Sequence, residues 1–164
     1  MTQPKPLFLG SMDETEDLFH IAKALGLPKY QIVDTKAPVM VVSTGLPVVI
    51  VPVRALTAVR SIEPDASAIV DMCERFGTNG IMVYTTMTVE DHATVQYEDV
   101  CARDRNSRRP RHRECQRGYG RYLVHNGLVE VGPLTEIIIE QGYEIGRPSR
   151  ILVQWNRMTM RSKR

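Results

Sequence analysis

Two short runs of valine and isoleucine constrain this chain more than anything else in it. Val39-Met40-Val41-Val42 and Pro47-Val48-Val49-Ile50-Val51-Pro52-Val53 are separated by a short Ser43-Thr44-Gly45 turn and Leu46. Both are too short for helices and too rich in β-branched residues to favour one. They are solidly apolar rather than alternating, so they read as strands buried on both faces. Gly80-Ile81-Met82-Val83-Tyr84-Thr85 reads as another strand, and Ala93-Thr94-Val95-Gln96 as a further short one. Two last strands follow at Thr135–Gln141 and Ile151–Trp155, joined by 142–150, whose Gly146-Arg147-Pro148 suits a tight loop.

Helical patterns lie between these runs. The opening to Gly10 is Pro-rich and reads as an extended lead-in, after which Ser11-Met12-Asp13-Glu14 fits a capping box. Leu18, Ile21, Ala22 and Leu25 follow at helical spacing, and Gly26 with Pro28 ends the pattern. A second helix is expected from Pro64-Asp65, with Ile69, Met72, Cys73 and Phe76 on one side and Gly77 as its stop. Tyr122-Leu123-Val124 before Asn126-Gly127 reads as the last turns of a third. Strands and helices mix without regular alternation and no internal repeat appears, so the expected class is α+β in a single domain over 1–164.

Composition sets limits on function. No apolar run approaches the roughly 18 residues a membrane helix needs, and Met1–Pro6 has no signal-peptide pattern. Cys73, Cys101 and Cys115 are odd in number and lack C-x-x-C spacing, which predicts neither a disulfide framework nor a zinc site and points to the reducing cytoplasm. Cys73 lies on an apolar stripe and is read as a packing residue. His20 is read as a surface or boundary residue; His92, His112 and His125 lack ligand-spaced partners, so no metal is expected.

The net charge of +2 conceals an imbalance. From Cys101 to Arg121 the chain carries eight arginines, at 103, 105, 108, 109, 111, 113, 117 and 121, against Asp104 and Glu114. That is a net of +6, which leaves −4 for the rest of the chain.

Three segments carry a family resemblance: Val42-Ser43-Thr44-Gly45-Leu46-Pro47 running into Val51–Leu56, Tyr122-Leu123-Val124-His125-Asn126-Gly127-Leu128, and Ile139-Glu140-Gln141-Gly142-Tyr143-Glu144-Ile145-Gly146-Arg147-Pro148-Ser149-Arg150-Ile151. In this order and spacing they resemble the C-terminal half of PhzF-like proteins, the phenazine-biosynthesis family of isomerases and epimerases. The resemblance implies one lobe of the diaminopimelate-epimerase-like fold, a curled mixed sheet around a central helix. It also implies cofactor-independent isomerisation of a small carboxylate-bearing metabolite in a cleft between two lobes. In the family a glutamate from the N-terminal lobe moves the proton, assisted by an aspartate in an E-D-P-x-T-G motif of the C-terminal lobe. The resemblance places Ser43, Thr44 and Gly45 near the substrate, although a tight turn alone also accounts for them. Arg147 is a candidate carboxylate ligand whose G-R-P-S setting is read first as a mark of the fold. Cys101 and Cys115 resemble the cysteine pair of related epimerases.

The chain departs from the family twice. The N-terminal lobe is missing, and the arginine-rich stretch stands where E-D-P-x-T-G belongs. A displaced reading frame explains the second departure. With permitted codons read one nucleotide later, Asp99-Val100-Cys101-Ala102 becomes Met-Phe-Ala-Pro, and Arg108-Arg109-Pro110-Arg111-His112-Arg113 becomes Glu-Asp-Pro-Ala-Thr-Gly. The aspartate then falls at Arg109, and the frame rejoins near Gly120. Residues 97–120 are therefore expected to be frame-shifted and locally distorted or disordered, and the chain to be an inactive fragment by itself. The alternative is a non-catalytic lobe that forms a homo-oligomer or pairs with a separate N-terminal half. Nucleic-acid binding through Arg103–Arg121 is the remaining alternative, and a nonspecific one: arginines pair with phosphates, but Tyr119 is the only stacking aromatic there.

Overall fold

The computed structural model describes residues 7–33, 35–43, 45–100 and 112–156, the last block as backbone alone at 112–117 and 155–156. The valine runs become β2 (Met40–Ser43) and β3 (Pro47–Pro52), paired antiparallel with Met40 opposite Ile50 and Ser43 opposite Pro47. Both strands are buried on both faces, as their composition predicts. With β1 (Leu7–Ser11), β4 (Ile81–Thr85), β5 (Val95–Val100), β6 (Leu134–Gln141) and β7 (Ser149–Asn156), they form one seven-stranded sheet in which spatial order equals chain order. The pairs β3–β4 and β5–β6 are parallel and the other four antiparallel, so the class is mixed α+β.

The two parallel pairs explain where the helices sit. Helices α2 (Leu56–Arg60) and α3 (Ala66–Phe76) connect β3 to β4, and α4 (His112–His125) lies between β5 and β6. Crossovers are almost always right-handed. β5 points opposite to β3 while both connections step the same way across the sheet, so their helices must fall on opposite faces. The buried residues divide accordingly. Val41, Val49, Val51, Ile81, Val83 and Val100 face α3 and α1 (Thr15–Leu25), in one core with Ile21, Leu25, Ile69 and Met72. Their neighbours Val42, Ile50, Met82, Tyr84, Tyr97, Ile137 and Ile139 face α4, in a second core with Tyr119, Tyr122 and Leu123. The second face curls around α4: His125 stacks on Phe8 of β1 (centroids 4.4 Å apart), and Gly120 lies against Val153 of β7.

Several local expectations hold. Gly26 and Gly77 close α1 and α3 in the left-handed region, at φ 66° and 64°. Asp65 caps α3 by accepting the Ser67 and Ala68 N–H groups, and Cys73 packs against the first core.

Two expectations are corrected, and one helix was not foreseen. The lead-in is not merely extended, because Leu7–Ser11 pairs with β2 as an edge strand, with a register break between Phe8 and Gly10. That commits Ser11 to the strand, so no capping box forms: Glu14 precedes α1 without a side-chain cap, and the Ser11 hydroxyl donates to Asp13 at 2.8 Å. The short helix α2 has no counterpart in the sequence reading. Regular structure also takes up both ends of the suspect 97–120 stretch, with β5 running to Val100 and α4 beginning at His112.

Candidate functional site

Strand register brings separated segments to one rim of the sheet. The β2–β3 turn lies there, because Ser43 pairs with Pro47 at the start of β3. Val49 pairs with Ile81 at the start of β4, and Ile81 with Val100 at the end of β5. Since β5 and β6 are parallel, α4 must run back from this rim to reach the start of β6. Its far end is fixed by Asn126, whose amide Nδ2 lies 3.8 Å from Met40 Sδ at the start of β2. The first turn of α4, with its unpaired N–H groups, therefore belongs to the same rim as the Ser43–Gly45 turn. The loop after β6 does not start from this rim: β6 ends at Gln141 opposite Tyr97, which is level with Tyr84 and Pro52, and Tyr143 and Arg150 beside the loop reach Glu90 of the β4–β5 connection.

Ser43 is partly buried and Gly45 exposed. The Gly45 N–H donates to Ser43 Oγ at 3.3 Å, and Gly45 has φ 120°, where an L side chain is strained. Thr44, Arg109, Cys101 and all of 101–111 lie outside the described residues, as do the side chains of His112 and Cys115. Arg147 is exposed, and its backbone N–H donates to Gly142 O at 2.9 Å. Gly142 has φ 79°, and a Cβ there would collide with the Arg147 carbonyl oxygen, so the Q-G-x4-R-P spacing closes a hairpin that only glycine permits.

The E-Q-G segment also holds a loop. Glu140 is fully buried, and its carboxylate accepts the N–H groups of Val89 and of Glu90 (3.2 Å). Glu90 in turn accepts Arg150 at 2.6 Å and Tyr143 Oη–H at 3.5 Å, and His92 Nε2 lies 2.9 Å from it. Arg150 beside it holds the Glu90 carboxyl below its ordinary value. The β4–β5 loop is thus clasped to the sheet by one buried carboxylate. Thr85, Gln96 and Glu140 form a buried polar row beneath the loop, in which the Gln96 amide has no hydrogen-bond partner.

Two features of the rim escaped sequence reasoning. Glu98 is half-buried, two residues before the end of β5 and opposite Val83, and is raised to about 7, first by burial and then by Glu144 and Asp99. Asp99 alternates onto the face of Tyr97 and α4 and is half-buried. A third feature lies behind the rim: Tyr119 and Tyr122 of α4 meet Tyr84 and Tyr97 of the sheet. The Tyr122 hydroxyl donates to Pro38 O at 2.6 Å and Tyr84 donates to Tyr122 at 3.2 Å. Burial raises Tyr84, Tyr119 and Tyr122, so these phenols stay neutral and serve packing rather than proton transfer.

A groove of about 340 Å³ between α1 and α3, lined by His20, Lys23, Met72 and Arg75, shares no residue with the rim. Arg75 there is committed to Glu16 at 3.3 Å and Asp17 at 3.2 Å, and His20 is a surface residue as expected. Among the described residues no cluster of His, Cys, Asp and Glu is arranged to hold a metal ion, and no helix is long and apolar enough to cross a membrane.

No family model and no curated relative matches the sequence. Solved structures do match it. A PhzF-family phenazine biosynthesis protein from Bacillus anthracis superposes with a TM-score of 0.75 at 22% identity, over 93% of this chain and 50% of that one. A predicted epimerase from Pseudomonas aeruginosa superposes with a TM-score of 0.67 at 19% identity, over 94% of this chain and 50% of that one. The chain spans about half the length of each, and its fold is that of one half of a PhzF-type structure.

Proposed function

We propose that this chain is the C-terminal half of a PhzF-like, cofactor-independent isomerase or epimerase whose substrate is a small carboxylate-bearing metabolite, and that it is inactive alone. The observation that carries the reading is the rim. In a fold similar to half of a PhzF-type protein, the Ser43–Gly45 turn, the end of β5 and the first turn of α4 share one end of the sheet. In this reading the N–H groups of α4's first turn and the Ser43–Gly45 turn receive the substrate carboxylate. A carboxyl group of the missing half, desolvated when the cleft closes, moves the proton. The aspartate that assists it belongs at Arg109, and the arginine-rich stretch is the product of a displaced frame.

The test is the nucleotide sequence of the gene and its upstream flank, read in three frames. E-D-P-x-T-G one nucleotide over, with a lobe-sized frame upstream, is the expected result. Arginine codons that give no such motif in another frame refute the reading.

A second reading, a non-catalytic lobe that self-associates or pairs with a separate half, is favoured by apolar side chains left in water: Ile145 at 68% exposure, Leu7 at 62%, Leu9 at 59% and Leu134 at 58%. Size-exclusion chromatography across a concentration series decides it, since a clean monomer throughout refutes association.

A further inference from the structure

Two side chains in regular, described structure sit badly in their surroundings, one on each side of the arginine-rich stretch. Glu98 is half-buried in β5 opposite Val83, and among the described residues the charged groups that act on it are the acids Glu144 and Asp99. Arg60, the cation beside Glu144, is 3.9 Å from that carboxylate. At the other side, Tyr119 is 1% exposed in the second core, and its hydroxyl is buried without a hydrogen-bond partner. Its ring stands 5.2 Å from Tyr84 and 6.0 Å from Tyr97, centroid to centroid. Buried hydroxyls are nearly always paired, and a half-buried acid facing acids loses on both desolvation and repulsion. Gly118 and Gly120, either side of Tyr119, are buried within the helix, where glycine weakens it. Natural sequences seldom set local choice against global fold in this way.

The genetic code says what a one-nucleotide displacement does at these two positions, without any choice of codon. Glutamate is GAA or GAG, and Asp99 supplies a following G; read one nucleotide later, position 98 is AAG or AGG, lysine or arginine. Tyrosine is TAT or TAC, and Gly120 supplies a following G; position 119 becomes ATG or ACG, methionine or threonine. A cation at 98 turns the repulsion from Glu144 into attraction. Methionine at 119 fills an apolar site with no hydroxyl to satisfy.

We infer that the displaced frame begins at or just before Glu98 and runs through Tyr119, so that the restored protein carries a cation facing Glu144 on β5 and a methionine or threonine in the core of α4. This rests on the displaced-frame reading proposed above and extends it to residues that look regular, in a strand and a helix. On the upstream side the core residues Val95 and Tyr97 fit their places. On the downstream side Tyr122 has its hydroxyl paired and Leu123 is fully buried.

The test compares two restored chains made from the gene's own displaced-frame translation, one replacing 98–119 and one replacing only 100–117. Thermal unfolding of both is followed by circular dichroism at neutral pH. The wider replacement is expected to melt about 2–4 °C higher or more. A narrower chain of equal or higher Tm overturns the inference. If neither restored chain folds, Glu98→Arg is compared with Glu98→Gln in the present chain. A higher Tm for the arginine variant, reduced by added salt, supports a cation at 98, and parity or a lower Tm overturns it. Failure of the underlying reading looks different, because a gene without E-D-P-x-T-G one nucleotide over removes both. A gene that has it, with the narrower chain more stable, leaves the function standing and these boundaries wrong.

Discussion

Glu140 is predicted to be the most sensitive polar position described in this fold. Its side chain is fully buried, and its two oxygens take the N–H groups of Val89 and Glu90 from a loop 50 residues away in sequence. Hydrogen bonds to a charged group are worth about 1.5–3 kcal/mol each. Glu140→Gln keeps the shape but offers one acceptor oxygen, so the amide NH₂ confronts one of the two N–H groups. One charged bond becomes neutral, and the other becomes a buried donor facing a donor, which costs about 1–3 kcal/mol. The sum is a loss of about 3 kcal/mol, a large part of the roughly 5–15 kcal/mol that holds a domain together. Urea unfolding followed by circular dichroism measures it as a lower midpoint at constant slope. Amide exchange should rise selectively over 86–93, since the loop loses its anchor before the sheet does. Glu90→Gln serves as the control: its bond to Arg150 is near the surface and should cost less than about 1 kcal/mol. A Glu140→Gln loss no larger than the control's, with loop exchange unchanged, would refute the idea that this carboxylate clasps the loop.

Other expectations follow from the same geometry. Glu98 is raised from 4.5 to about 7, chiefly by burial, so the folded state holds an extra proton between those values and stability falls as pH rises through that window. Sealed from water this would be worth about 3 kcal/mol, and solvent screening at a half-buried site reduces it to about 1–2 kcal/mol; Glu98→Gln should flatten Tm against pH from 4.5 to 7, and an unchanged slope would count against it. Gly142→Ala should cost about 2–4 kcal/mol, because it adds a Cβ against the Arg147 carbonyl at a positive φ; a midpoint within experimental error of the parent would contradict that. Tyr122→Phe leaves Pro38 O without its donor and Tyr84 without its acceptor. A loss of about 2 kcal/mol in urea unfolding is expected, and none would show that water replaces the hydroxyl.

The central strands were legible because their signal is local. Val41, Val49 and Ile81 face one core while Val42, Ile50 and Met82 face the other, and solid apolar runs announce that double burial. Gly26 and Gly77 were legible as helix ends for an equally local reason, since each supplies the left-handed turn itself. β1 escaped because it is an edge strand whose Leu7 and Leu9 face water, so no burial pattern marks it. Ser11 misled because a hydroxyl three residues before a carboxylate fits a cap wherever it occurs, and here pairing with Met40 claimed it first. α2 is five residues long, too short for a period to appear. The candidate site was legible in parts and not as a whole. The sequence names the S-T-G turn and the tail of the third helix, but only register places the Ser43–Gly45 turn, the end of β5 and the first turn of α4 on one rim. Neither the Glu140 clasp nor the acids around Glu98 has any signal within its own segment.

The placement of α4 separates what holds this fold from what the proposed chemistry would need. Its described contacts with the sheet come from its C-terminal portion: Tyr119, Tyr122 and Leu123 enter the second core, Tyr122 is tied to Pro38, and His125 stacks on Phe8. The end that would meet a substrate is the other one, reached through the arginine-rich stretch after β5. Packing selects side chains by volume and polarity at the buried end. A carboxylate site at a helix N-terminus depends instead on particular groups at that end. The displaced frame proposed across 98–119 would therefore alter this rim segment and, among the described residues of α4, would reach the second core at Tyr119. On that proposal the fold would pay with one orphan hydroxyl and one crowded acid, whereas the site would lose its aspartate outright. If that division holds, restoring the frame should change Tm by only a few degrees while making isomerase activity depend entirely on addition of the other half. Restored activity without a second half would show that the cleft is not shared between lobes.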